Sequence, residues 1–158
     1  MQARINYVKV APGAYKAMAS LEEYLHQSGL EAPLLHLIKM RASQINGCAY
    51  CIDMHSKDLR ALGETEQRIY GLDAWEETPY YTDRERAALA WTEAVTLIAS
   101  GHVPDQVYEK AKAQFSEKEL ADLTLAVAAI NAWNRLAIAG RAVPGAYQPA
   151  KPRELQRA

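Results

Sequence analysis

Apolar positions recur at three- and four-residue spacing along most of the chain, with glycine, proline and capping residues where the runs stop. A first amphipathic helix is predicted from about Pro12 or Tyr15 to Ser28, closed by Gly29, which tolerates left-handed backbone at a helix end. A second runs from Ala32 to about Ile45, with Pro33 in the first turn, where its missing N–H is not needed. Leu34, Leu35, Leu37, Ile38, Met40, Ala42 and Ile45 leave this helix little polar face, which predicts burial. Asn46-Gly47 reads as a turn, and a third helix follows from at or just before Cys48 to Leu62, stopped by Gly63. Thr65 caps a short helix through Tyr70, and the stretch to Pro79 reads as a surface excursion. Thr82 and Glu85 fit a capping box, in which hydroxyl and carboxylate satisfy each other's backbone N–H groups. The long helix they open carries Ala87, Ala88, Trp91, Ala94, Val95 and Ile98 at helical spacing and ends at Gly101. Pro104 begins another, to about Gln114. Ser116 and Glu119 repeat the capping box before a helix with Leu120, Leu123, Val127, Ile130 and Ala137 on one face, ended by Gly140.

No segment alternates apolar and polar residues with β-branched enrichment, so the expected fold class is all-α. One domain over 1–158 is expected, with a core of about 15–140. Its tail, 143–158, contains Pro144, Pro149 and Pro152 and is expected to be extended or disordered, or to wrap a neighbouring subunit.

A chain of 158 residues can bury a real core without a covalent staple. Its 18 Lys+Arg balance 19 Asp+Glu, so no basic footprint points to nucleic acid or an anionic membrane. No run approaches the roughly 18 consecutive apolar residues that a bilayer span needs. The N-terminal stretch lacks the apolar core of a signal peptide, and the expected compartment is the cytoplasm, where structural disulfides do not persist.

The candidate chemistry lies in QINGCAYCIDMHSKDLRALGE, Gln44 to Glu64, which holds both cysteines. Cys48, Cys51 and His55 are spaced three and four apart and line one stripe of a helix. Cys48 falls in the first turn, where unpaired N–H groups and the helix dipole favour an anion, so its thiol is expected to be acidic. His55 is placed to accept a proton or, when charged, to pair with a thiolate. Two neighbouring thiols suit peroxide reduction, in which one forms a sulfenic acid and the other condenses with it to a disulfide. An external dithiol then restores the pair by exchange. A zinc site is the competing reading. It needs a fourth donor, which His36 of the preceding helix could supply as Cys2His2, but one straight helix holding three ligands would be strained around the ion. Simple haem attachment is excluded because Ile52, not histidine, follows Cys51. No cofactor and no metal are expected. Asp53 lies on another face, toward solvent or an interface, and Tyr50 also points off the stripe, toward a subunit contact. Trp75, Tyr80, Tyr81, Trp91 and Trp133 could wall a pocket, although aromatics at helical spacing more often fill a core.

RASQINGCAYCIDMHSKDLRALGE (Arg41 to Glu64) and TDRERAALAWTEAVT (Thr82 to Thr96) resemble the alkylhydroperoxidase AhpD-like members of the carboxymuconolactone decarboxylase superfamily. The likeness extends to Arg4-Ile5-Asn6-Tyr7 and to NAWNRLAI, Asn131 to Ile138. It implies an all-α fold with the CxxC at a helix start, a homo-oligomer (trimer or hexamer), organic hydroperoxide as substrate and an external dithiol as reductant. It also implies Cys51 as the peroxide-attacking cysteine, Cys48 as the resolving one and His55 as proton relay, against the bare electrostatic preference for Cys48. The family's relay places a glutamate twelve residues before the first cysteine; that position is His36 here. His36 either takes part in the relay or is a buried histidine satisfied by a backbone carbonyl. Two further readings are a redox sensor or interaction module switched by a Cys48–Cys51 disulfide, and a carboxymuconolactone decarboxylase-like enzyme.

Overall fold

The computed structural model describes residues 2–149, and among these it contains helices and connecting loops without a strand. The main helices follow the apolar pattern: α1 (Tyr7–Val10), α2 (Pro12–His26), α3 (Ala32–Asn46), α4 (Ala49–Ala61), α5 (Glu66–Gly71), α6 (Asp83–Thr96), α7 (Ile98–Gly101), α8 (Asp105–Lys112) and α9 (Glu117–Gly140). Both expected capping boxes are formed, at Thr82–Glu85 and Ser116–Glu119. Three features depart from the pattern. The single turn of α1 is too short to show periodicity; it is held by Asn6, whose Oδ1 accepts from Lys9 N at 3.2 Å. The stretch after α5 runs along the surface, with Asp73, Ala74, Glu76, Glu77 and Pro79 exposed, but it is anchored. A 3₁₀ segment, Leu72–Glu77, buries Leu72 and Trp75, and the Trp75 indole donates to Glu93 Oε1 at 2.7 Å. The long helix expected up to Gly101 breaks at Leu97 into α6 and α7. The β-branched Val95, Thr96 and Ile98 hold the helix weakly there, and Thr96 Oγ1 is engaged by Asn131 Nδ2 at 3.0 Å.

The helix with the least polar face sits in the middle. α3 packs against α4, α6 and α9, and buries Leu34, Leu35, Leu37, Ile38, Met40 and Ala42 together with His36, Lys39 and Ser43. Each fully buried leucine or isoleucine here stabilises the fold by about 1.5–3 kcal/mol relative to an exposed one. Leu123, Ala126, Val127 and Ile130 of α9 complete the other side of that core. With 24 residues, α9 is long and apolar enough to cross a membrane by length and composition alone; here it packs on α2, α3, α6 and α8.

The two ends of the described chain come together over α4 and α9. Arg4 N and Ile5 N donate to Gly140 O at 2.8 and 3.3 Å, and the Tyr7 ring lies so close to Gly140 that a Cβ there would be 2.8 Å from its Cε2. Residues 143–149 carry no helix and contact the α4 of their own chain: Lys57 Nζ donates to the carbonyls of Gly145 and Tyr147, each at 3.1 Å, and Gly145 N donates to Asp53 Oδ2 at 3.0 Å. Asp53, expected at solvent or an interface, thus anchors the tail. The remainder of the tail, 150–158, lies outside the described residues.

Candidate active site

The thiol pair is built by the turn between α3 and α4. Gly47 ends α3 with φ of 68°, a left-handed conformation suited to glycine, and Cys48 N then donates to Ser43 O at 2.9 Å. This leaves Cys48 as the N-cap of α4, its Sγ accepting from Cys51 N at 3.4 Å. The two sulfurs stand 2.6 Å apart, and both residues are buried. A hydrogen bond from the Cys51 thiol lowers the Cys48 pKa to about 7 against the cost of burial, helped by the Cys51 backbone N–H and the Asn134 side chain. The same bond, burial and the Cys48 charge raise Cys51. The pair therefore shares one proton, with the negative charge on the sulfur at the helix N-terminus. Asn134 and Ser43 hold this end of the site: Asn134 Nδ2 donates to Ser43 Oγ at 3.0 Å, and Asn46 Nδ2 donates to both Asn134 Oδ1 and Asn131 Oδ1 at 2.9 Å.

Cys51 opens onto a cavity of about 700 Å³, whereas Cys48 is not part of its wall. Ile5, Val8, Met54, Ile130 and Leu136 make much of that wall apolar; His36, His55, Asp58, Glu22 and Lys39 supply its polar groups. Lys39 is buried in an ion pair with Glu22, which also accepts from the Trp133 indole at 3.0 Å. Of the five aromatics considered as pocket walls, Trp133 lines the cavity, while Trp75, Tyr81 and Trp91 are buried in the core and Tyr80 packs beside it. Tyr50, expected at a subunit contact, faces the same cavity.

The second polar group of the site brings together α3, α4 and the tail. His36 Nδ1 and His55 Nδ1 are 3.2 Å apart, so one donates to the other. Asp58 Oδ2 lies 3.5 Å from His36 Nδ1 and 3.7 Å from His55 Nδ1. The other carboxylate oxygen, Oδ1, accepts from Tyr147 OH at 2.7 Å. Burial, with Lys39 and His26 nearby, drives the His36 pKa down to about 3. Burial first, then His36 and Lys39, holds His55 well below its ordinary value, and both rings are neutral at physiological pH. Burial raises the Asp58 pKa from its ordinary value, against the Tyr147 hydroxyl and Lys39. His55 Nε2 is a buried polar atom without a hydrogen-bond partner among the described residues.

The structure therefore groups Cys48 with Cys51 and His36 with His55. His36 is satisfied by His55 and not by a backbone carbonyl. No hydrogen bond joins His55 to either sulfur among the described residues; the cavity connects them. A carboxylate does stand beside the two imidazoles: Asp58, which the sequence reading passed over. Its signal was its position three residues after His55, hence on the same helix face. Tyr147, Glu22 and Lys39 had no comparable local signal. The conceivable Cys2His2 donor set does not form: the donors that cluster are His36, His55 and Asp58, without either cysteine.

Residues 12–94 match the Carboxymuconolactone decarboxylase family. The chain belongs to that family. It is an AhpD-like member, all-α, with its cysteine pair at the start of a helix. It is 47% identical over 139 residues to the uncharacterized protein YdfG of Bacillus subtilis (strain 168), covering 88% of this chain and 95% of that protein. A crystal structure from Agrobacterium tumefaciens, of a protein of unknown function provisionally assigned as the antioxidant defence protein AhpD, superposes with a TM-score of 0.89 at 48% identity, over 92% of this chain and 100% of that one. The debrominase Bmp8 shares the fold, with a TM-score of 0.73 at 20% identity over 92% of this chain and 75–76% of that one.

Proposed function

We propose that this AhpD-like chain is a thiol-dependent reductase of organic hydroperoxides. The observation that carries the reading is a dithiol with touching sulfurs, of which only Cys51 faces a largely apolar cavity shared with His55. In this reading the substrate's apolar portion rests on the cavity wall and its O–O bond meets Cys51. As the Cys51 sulfur attacks the terminal oxygen, its proton passes to Cys48, the O–O bond breaks and Cys51 is left as a sulfenic acid. The departing alkoxide takes a proton from His55 Nε2, and His36 and Asp58 on the Nδ1 side of His55 return one from solvent. Cys48 then attacks the sulfenic sulfur, and its proton leaves with the hydroxide as water. One shared-proton dithiol, one hydroperoxide and one proton thus yield a disulfide, an alcohol and water. An external dithiol completes the cycle by exchange. His55 accordingly acts on the leaving oxygen, not as the base for a thiol. The reading includes a homo-oligomer, for which exposed Ile5, Val8, Val10, Ile138 and Val143 near the chain ends offer an apolar surface.

The test is consumption of cumene hydroperoxide with dithiothreitol as recycling dithiol. The intact chain should turn over many equivalents, Cys51→Ser should lose about 1,000-fold or more, as removing a nucleophile does, and Cys48→Ser, treated with hydroperoxide in the absence of dithiothreitol, should react once and retain a sulfenic acid trapped by dimedone. Stoichiometric consumption by the intact chain would favour a sensor, and a trapped sulfenic acid on Cys48 in Cys51→Ser would reverse the assignment.

A further inference from the structure

We propose that His36, His55 and Asp58 form a binding site for one divalent cation of the zinc class, open to the cavity. Three donor atoms, His36 Nδ1, His55 Nδ1 and Asp58 Oδ2, make a triangle with sides of 3.2, 3.5 and 3.7 Å. A point equidistant from all three lies about 2.0 Å from each, matching the zinc–nitrogen and zinc–oxygen bond lengths of about 2.0–2.2 Å. A contraction of the sides by about 0.2 Å would lift the ion out of the plane into a tetrahedral position. Two imidazole nitrogens and one carboxylate oxygen select a borderline ion over magnesium or calcium, which favour oxygen-only shells. Three protein donors leave one position for water or a cavity ligand, as in zinc sites that bind small molecules.

The surroundings hold this triangle in place. His55 and Asp58 share one face of α4, and His36 projects from the buried α3. Tyr147 OH holds the carboxylate oxygen that the ion would not use, the kind of outer contact that orients a metal ligand. Binding requires the hydrogen shared between the two Nδ1 atoms to move to the Nε2 of its own ring, which leaves both Nδ1 lone pairs to the ion. The nearby Lys39 opposes a cation here as it opposes protonation of the two rings, but it is paired with Glu22, and Asp58 brings a carboxylate to the ion. The cation would take the two Nδ1 atoms that link His36 to His55, so if the hydroperoxide reading holds, metal loading and turnover exclude each other.

The site is tested with thiol chemistry removed. A chain carrying both Cys48→Ser and Cys51→Ser is titrated with Zn²⁺ by calorimetry and with Co²⁺ by visible absorption. Saturable binding of one ion per chain is expected, with a cobalt spectrum of nitrogen and oxygen ligation. Adding Asp58→Asn or His36→Gln should weaken it at least about tenfold, with circular dichroism confirming that the fold is kept. Should either variant unfold, X-ray absorption of the cobalt complex with all three donors intact counts the imidazoles, of which two are expected. Absence of saturable binding, binding unchanged in folded Asp58→Asn and His36→Gln chains, or cobalt without imidazole would overturn the proposal. A chain that reduces hydroperoxide but binds no ion fails this inference alone; one that binds the ion but turns nothing over fails the hydroperoxide reading alone.

Discussion

The two ends of the cavity are built in opposite ways. At the thiol end, one turn of backbone sets the chemistry: Gly47 turns the chain, Cys48 caps α4, and the sulfur at that cap carries the charge. At the imidazole end, three distant segments converge, with His36 from α3, His55 and Asp58 from α4 and Tyr147 from the tail. The thiol end stabilises a charge with helix N–H groups. The imidazole end is so buried that both its rings stay neutral. A reaction that needs a thiolate at one place and a neutral proton carrier at another is served by keeping these environments apart.

The separation can be broken most severely at His55. His55→Gln should lower hydroperoxide turnover about 100-fold, the scale of a lost acid–base group. The thiolate absorbance should still rise in a single step near pH 7, because the groups that lower Cys48 are Cys51 and Asn134, not His55. A displaced step would mean that the two ends are one coupled system. In the intact chain that step should have the height of one thiolate, since Cys51 ionises only at far more alkaline pH.

Asn134→Leu attacks the opposite end. It removes the donor to Ser43 and the acceptor for Asn46 from a fully buried position, and should destabilise the fold by about 2–3 kcal/mol in denaturant titration. It should also raise the Cys48 step above pH 7, because the amide that favours the thiolate is gone. Tyr147→Phe is the mildest change. Asp58 loses one hydrogen bond at the edge of the tail, a loss of about 1 kcal/mol by thermal melting, and the Cys48 step should stay where it is. Movement of that step would tie the tail to the thiols.

The same contrast governs what could be read from the sequence. The capping boxes, the buried α3 and the stripe of Cys48, Cys51 and His55 were legible because each depends on residues within two turns of one another. The break at Leu97 was not, since one partner in it, Asn131, lies 35 residues beyond the Thr96 it engages. Asp58 was legible in principle from its spacing to His55. The Tyr147 contact was not, because it depends on the chain returning across 89 residues to α4. What is local in the structure is written locally in the sequence; the carboxylate end of the site is assembled only by folding.

Gly140 has a consequence for which sequences this fold can accept. With the Tyr7 ring where a Cβ at position 140 would project, positions 7 and 140 cannot vary independently. A side chain at 140 is compatible only with a smaller residue at 7 or with an opening segment that has lifted from α9 and, with it, from the cavity. The two positions form an epistatic pair: the cost of changing one depends on what occupies the other, and a double-mutant cycle would measure how firmly the first residues of the chain close over the site.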